Sequence, residues 1–408
     1  MTTSEAALAA VDEAAIGRLL LELLEVPSVT GSAAESELQH VLAGQLERLD
    51  LDVDLWSMDL PALRRHERFP GGEAPRTEAW GLVGNTRQND GPTLILQGHV
   101  DVVPPGDLAQ WEGDPFRPRV FGDVVHGRGA CDMKAGLVAI LAALTAIRAA
   151  NVTLRGQVSA HFVVSEEDGG LGAFGTLERG HTGDACIITE PTSGALMVAN
   201  AGALTFRIEV PGLATHGSTR YAGVSAIDTY LPVHQALQQL EARRNAGADP
   251  LMSEYPIPYP LSVGTLQAGD WASSVPDLLV AEGRLGVKLD EDPAQARAEL
   301  EECVAEACAG ARVTWPGGQF ASGRLPAGNP LATLVGDAHA DVTGAARPAE
   351  RGAPYGSDLR LYAGAGIPTL QYGPGDVRLA HGPREQVNVR EIVTVTQTLV
   401  LAAVRAVG

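Results

Sequence analysis

Basic residues are scarce in this 408-residue chain: 30 lysines and arginines stand against 50 aspartates and glutamates, a formal net charge of −20. That balance excludes nucleic acid and anionic membrane as partners. Cysteine is rare as well. Cys131, Cys186, Cys303 and Cys308 follow no zinc-finger or paired-disulfide spacing, so reduced thiols in a cytoplasm are expected. No apolar run approaches the ~20 residues of a membrane span, and the N-terminus MTTSEAALAAVDEAAIG carries acids where a secretory signal carries bases. Internal repeats and low-complexity stretches are missing. What remains is a globular chain, cytoplasmic by expectation, whose 45% hydrophobic content suffices for two or three domains with real cores.

The most informative stretch runs from Leu94 to Gly136. Leu94-Ile95-Leu96-Gln97 reads as a buried strand that stops at Gly98. His99-Val100-Asp101 then sets an imidazole and a carboxylate on the same side of an extended chain. Further on, Gly127-Arg128-Gly129 leads into Cys131-Asp132-Met133-Lys134 and a helix apolar on nearly every face, with Leu137, Val138, Ile140, Leu141, Leu144 and Ile147. Such a helix lies inside the protein, which leaves Asp132 at its buried mouth. A carboxylate there needs a cation or a dense set of donors.

Two later strands end the same way. The 156–164 strand runs into Ser165-Glu166-Glu167-Asp168, and Ala185–Thr189 runs into Glu190-Pro191. Strands alternating with helices predict an α/β fold with a mostly parallel sheet covered on both faces, whose carboxyl ends collect ligands. Residues 60–78, rich in Pro, Gly and Arg, read as a long surface loop. Near Ala201 the pattern changes to alternating strands with two helices, an α+β insert. The expected division is a first domain over 1–202, an inserted domain over 203–317, and a return to the first over 318–408, which includes Ala380-His381-Gly382.

His99, Asp132, Glu167, Glu190 and His381 form a set of two imidazoles and three carboxylates without a thiolate. Nitrogen and oxygen donors suit zinc, and also cobalt or manganese. Five are too many for one tetrahedral ion, so a pair bridged by one carboxylate is simpler, and Asp132 is the natural bridge. Asp101 would fix the His99 tautomer. Glu166, pointing the other way from Glu167, would be the general base. Each residue alone has a plainer reading: a histidine at a strand end is usually a satisfied polar group, and Glu-Glu-Asp is usually a solvated turn. Their joint placement at strand ends argues against coincidence. Gly170-Leu171-Gly172-Ala173-Phe174-Gly175 matches a dinucleotide fingerprint, but three acids directly before it and a short helix after it disfavour a pyrophosphate.

The motifs GHVDVVP, GRGACDMKAG, SEED, ITEPT and AHGPREQV follow the order and approximate spacing of the M20 metallopeptidase family, which this chain resembles over nearly its whole length. The resemblance implies a two-zinc catalytic domain with an inserted lid or dimerisation domain. It carries the ligand roles to His99, Asp132 (bridging), Glu167, Glu190 and His381, the base to Glu166, a supporting role to Asp101, and a cis peptide after Asp132. It also implies a homodimer in which His216, in Ala214-Thr215-His216-Gly217-Ser218, polarises the scissile carbonyl from the partner copy. Ser357 and the Gly373–Gly375 backbone are candidate substrate contacts. The chain departs from the family at Ser225 and Ser274, where asparagine is common, and at Gly286, where an arginine is usual and Arg284 falls two residues early. Glu190, rather than Asp, resembles the deacylases and aminoacylases. The implied activity is removal of an N-acyl group from a small amino acid or amine, as in acetylornithine deacetylase. Alternatives are a dipeptidase, an N-formyl or carbamoyl hydrolase, and a non-catalytic metal-binding protein that kept the fold.

Overall fold

The computed structural model describes residues 2–86 and 90–408. The chain forms two compact units. One comprises residues 1–198, 324–351 and 361–408; the other comprises 199–323 together with 352–360. The second unit therefore takes in a short late segment, containing Ser357, that the sequence pattern assigns to the first.

The first unit is built on a sheet whose centre is parallel. Thr93–His99 lies between Gln157–Val163 and Ala185–Ile188, and Thr369–Gln371 continues beyond Ala185–Ile188, all in the same direction. Antiparallel strands flank this centre: Trp80–Asn85 and Asp52–Ser57 on one side, Leu196–Asn200 on the other. Register brings the strand ends level. His99 stands opposite Val163, and Gln97 and Gln371 both stand opposite Ile188, so the turns after these strands open at one end of the sheet. Helices Glu13–Leu24, Ala135–Ala149 and Val389–Val407 form one layer, and Ala33–Arg48 and Leu171–Glu178 another. Coverage from helices explains why the central strands are buried along nearly their whole length rather than on alternate residues.

The segment Ala130–Ala149 meets the length and composition of a membrane span, contrary to the sequence reading, but 83% of its most apolar window is buried in the unit, as a core helix is. It approaches the sheet very closely. A Cβ placed on Gly136 would stand 2.3 Å from the carbonyl oxygen of Thr189, the residue before Glu190.

The second unit is a separate α+β body. Its antiparallel sheet runs Leu261–Ala268, Leu278–Val287, Gly202–Pro211, Arg312–Thr314. Along Gly202–Pro211 burial alternates strictly; Leu204, Phe206, Ile208 and Val210 pack with Tyr230, Val233 and Leu237 of Ala226–Asn245 and Leu300 and Val304 of Pro293–Ala307. The opposite face carries Arg207 with Glu209 and Glu282.

Two glycine substitutions should move stability in opposite directions. Gly17 lies in helix Glu13–Leu24 with nothing within 4 Å of an added Cβ, so Gly17→Ala should stabilise by about 0.5–1 kcal/mol. Gly136→Ala should destabilise by about 1–3 kcal/mol through overpacking. Urea midpoints of the two variants shifting in the same direction would contradict this account.

Candidate metal centre

His99 closes its strand with the side chain buried. Its Nε2 lies 3.1 Å from Oδ1 of Asp132 and 3.8 Å from Oε1 of Glu190. The other oxygen of Asp132 faces His381, with Oδ2 3.4 Å from Nε2, and the same Nε2 lies 3.1 Å from Oε2 of Glu167. Five side chains from separate stretches thus converge, and Asp132 stands between the two histidines with one oxygen toward each. The peptide bond Asp132–Met133 is cis.

The turn after Gln157–Val163 begins at Ser165, whose φ of 63° is a left-handed conformation that bends the chain sharply. A carboxylate oxygen of Glu166 lies within 4.8 Å of donor atoms of both His99 and Glu190, while Glu167 meets His381, so the two neighbours face different parts of the cluster. Asp101 departs from the sequence reading. Its backbone carbonyl, not its carboxylate, is the close partner of His99 Nδ1, at 2.9 Å against 3.7 Å. The carboxylate instead accepts the N–H groups of Glu166 and Glu167, each at 3.2 Å, and the hydroxyl of Thr30 at 3.0 Å. The reason is that the strand ends at His99, so the same-face rule for residues two apart no longer applies at Asp101.

Sequence reasoning missed Arg128 and Glu385. Both are fully buried, and Arg128 Nη1 donates to Oε2 of Glu385 at 2.5 Å. The other oxygen of Glu385 accepts the N–H groups of Cys131 and Asp132, at 3.2 and 3.1 Å, while Arg128 Nη2 donates to the carbonyl of His381 at 3.1 Å. One ion pair thus underlies Asp132 and His381, residues far apart in sequence. Both members sit inside recognisable motifs, in Gly-Arg-Gly and Pro-Arg-Glu, and that position was the available signal.

Charge in the cluster is unbalanced. Burial works against a charged His99, but Glu190, Asp132, Asp101 and Glu166 outweigh it and hold the imidazole well above its ordinary range. Hydrogen bonds to Asp132 and Glu167 push His381 up to about 11. Burial opposes ionisation of Asp132, yet His381 and His99 draw its carboxyl far below the usual carboxylate range. Burial and Asp132 push Glu167 up. The acids outnumber the imidazoles and force protons onto them, where bound cations would take the protons' place. Oε1 of Glu167 is buried without a hydrogen-bond partner. An orphaned carboxylate oxygen in a set of nitrogen and oxygen donors fits divalent metal ions.

The remaining candidates divide between the units. A Cβ on Gly373 would touch the carbonyls of Thr189 and Glu190, at 2.3 and 2.4 Å, so Gly373 lies directly against the Glu190 turn. His216, Arg284 and Ser357 belong to the second unit. Nδ1 of His216 accepts the N–H of Ser218 at 3.2 Å, which leaves the ring proton on Nε2. Arg284 donates to the carbonyl of Pro354 at 3.0 Å, and the hydroxyl of Ser357 accepts the N–H of Leu359 at 3.2 Å.

Comparison with known proteins gives the family. The family model of Peptidase family M20/M25/M40 matches residues 95–405, which takes in every residue of the cluster. The chain is 27% identical over 417 residues to an N-formyl-4-amino-5-aminomethyl-2-methylpyrimidine deformylase of Halalkalibacterium halodurans, covering 93% of this chain and 92% of that one. It is 32% identical over 271 residues to a succinyl-diaminopimelate desuccinylase of Gluconacetobacter diazotrophicus, 63% of each chain. It shares its fold with a dinuclear metal binding peptidase of the M20 family from Bacillus subtilis, at a TM-score of 0.63 and 18% identity, over 97% of this chain and 98% of that one. With residues 95–405 matched and the cluster assembled within them, the chain belongs to peptidase family M20/M25/M40 and is a metal-dependent hydrolase of amide C–N bonds.

Proposed function

We propose that this hydrolase removes an N-acyl group from a small amino acid or amine, in the manner of acetylornithine deacetylase, with two divalent cations as cofactors: zinc, or else cobalt or manganese. The observation that carries the reading is the single carboxylate of Asp132 offering one oxygen to each histidine, at 3.1 and 3.4 Å. His99, Asp132 and Glu190 would hold one cation, and His381, Asp132 and Glu167 the other. Such cations supply Lewis acidity toward the scissile carbonyl and make a water acidic enough to attack near neutral pH.

Glu166 takes the proton of the attacking water as its oxygen bonds to the acyl carbon. It delivers that proton to the amine nitrogen as the C–N bond breaks. Asp101 keeps Glu166 aimed through the bond to its N–H. Gly373 and Ser357 are proposed substrate contacts, and His216, whose Nε2 carries the proton, donates to the acyl oxygen from a partner copy. A homodimer is supported by apolar side chains left exposed on the second unit: Ile227 and Leu231 on helix Ala226–Asn245, and Leu266 on Leu261–Ala268, an edge strand whose backbone groups can pair with another chain.

A specific observation favours a second reading, in which the amine has no α-carboxylate. Arg284 is turned onto the carbonyl of Pro354, and Gly286 lies against the backbone of Tyr259, 2.8 Å from an added Cβ. Neither position then presents a guanidinium to a substrate carboxylate. The relative aligned over 92% of its length is a deformylase of an N-formylated aminomethylpyrimidine, which is consistent with an N-formyl amine as substrate.

Three experiments test these readings. Glu166→Gln should keep about two equivalents of metal while kcat falls by at least ~10²-fold; no metal in the purified protein, or near-normal turnover, would sink the assignment. A turnover screen should favour N-acetyl, N-succinyl or N-formyl amino acids over dipeptides. Preference for carboxylate-free formamides would select the second reading, and preference for dipeptides would reject both. Subunit exchange between inactive His216→Ala and inactive Glu166→Gln should restore part of the activity; heterodimers that stay dead would remove His216 from the partner's site.

A further inference from the structure

The turn that carries Glu166 and Glu167 starts at Ser165, whose φ of 63° is disfavoured for a residue with a Cβ. Two acids hold it. The N–H of Ser165 donates to Oε1 of Glu35 at 2.9 Å, and its hydroxyl bonds to Oδ1 of Asp168. Asp168 also accepts, on Oδ2, the N–H groups of Glu73 and Ala74 at 3.0 and 2.8 Å. Those two residues belong to the 60–78 segment, which the sequence presents as a surface loop.

The same segment sends Arg76 inward. Its side chain is 2% exposed, with Nη1 2.9 Å from Oε2 of Glu35 and Nη2 3.6 Å from Oδ1 of Asp168. The segment and the turn meet closely at one point, where a Cβ on Gly169 would stand 2.4 Å from the carbonyl oxygen of Gly71. Beside that contact lies a cavity of about 430 Å³, lined by Phe69, Gly72, Arg76, Asp168 and Leu171 among others. Around Arg76 the attachment is polar, and its charges matter. Glu35, Asp101 and Asp168 are all buried; burial and Asp101 work against an ionised Glu35, and Arg76 with the N–H groups of Ser165 and Gly31 favours its carboxylate. Without the guanidinium, Glu35 and Asp168 would be stranded acids, and a buried charge that loses its partner is strongly destabilising.

We propose that Arg76 is a positioning residue for the metal centre: by neutralising Glu35 and Asp168 it fixes the turn that aims Glu166 and Glu167 at the cluster. The assignment rests on the metal-centre reading of His99, Asp132, Glu167, Glu190 and His381, with Glu167 serving one of the two ions. No atom of Arg76 belongs to that donor set, so its effect passes through Ser165 and the backbone beyond it.

The probe is cobalt(II), titrated calorimetrically into the metal-free full-length protein. Wild type should take up about two equivalents. Arg76→Met should leave the tighter of the two sites and weaken the other by roughly 10–100-fold, the scale seen when a ligand loses its outer partner. Adding Glu35→Gln to Arg76→Met removes the stranded charge and should recover part of that affinity, a rescue that lost packing alone would not give. Arg76→Lys, which keeps the charge without the planar fork, should fall between. If Arg76→Met does not fold, Arg76→Lys with and without Glu35→Gln makes the same comparison. Equal cobalt affinities in wild type and variant, or a loss that Glu35→Gln leaves untouched, would overturn the role of Arg76. Wild-type protein that takes up no cobalt would overturn the metal centre itself, and the role of Arg76 with it.

Discussion

The constraint on which this structure depends is electrostatic: carboxylates have to be gathered where little water reaches them. Two unit charges of the same sign 4 Å apart repel by about 4 kcal/mol even at an effective dielectric of 20. Asp132, Glu166, Glu167 and Glu190 cluster around two imidazoles. Such a cluster does not assemble from flexible side chains. Each member has to be delivered by backbone that is already fixed, and the parallel strands provide it by ending together.

The way the backbone is fixed repeats itself. The N–H of Glu167 is bonded to the carboxylate of Asp101, and the N–H of Asp132 to the carboxylate of Glu385. Beneath each of these cluster acids lies a further acid that grips its main chain. Glu385 is balanced in turn by Arg128, and Glu35, which holds the N–H of Ser165 at the start of the Glu167 turn, by Arg76. Negative charge at the centre is thus ringed by acids and then by arginines, and the guanidinium suits the outermost position because its planar fork serves two partners at once. Lys134, fully buried, does related work with a point charge, donating to the carbonyls of Leu23 and Val26 and tying the Asp132 turn to helix Glu13–Leu24.

Much of this could be read from the sequence because it depends on strand ends. Apolar runs that stop at His99, Ser165 and Glu190 place those residues without reference to any partner. The buried helix after Asp132 is equally visible in its unbroken apolar pattern. The side-chain direction of Asp101 is not legible, because strand alternation does not extend past the point where the strand stops at His99. Ser165 turns left-handed after Gln157–Val163, and nothing local to a serine announces that. Arg76 and Glu385 escaped for a different reason. Each is recognised only through partners far away in the chain, 41 residues for Arg76 with Glu35 and 253 for Glu385 with the N–H of Asp132, and composition records no such pairing. Residues 352–360 likewise carry no periodicity that would assign them to the second unit.

The order in which the cluster's members occur along the chain has a consequence during synthesis. His99, Asp132, Glu167 and Glu190 all precede the second unit, whereas His381 and Glu385 come after it. At translation rates of about 5–20 residues per second, His381 leaves the ribosome on the order of 10–40 s after Glu190. For that interval the nascent first unit holds one histidine among several acids, with Arg128 lacking its glutamate and the strand Thr369–Gln371 not yet made. A half-built site of that charge repels its own closure. The second unit, whose strands and helices form one uninterrupted stretch apart from residues 352–360, can fold meanwhile, so the domain that starts first is the one that finishes last.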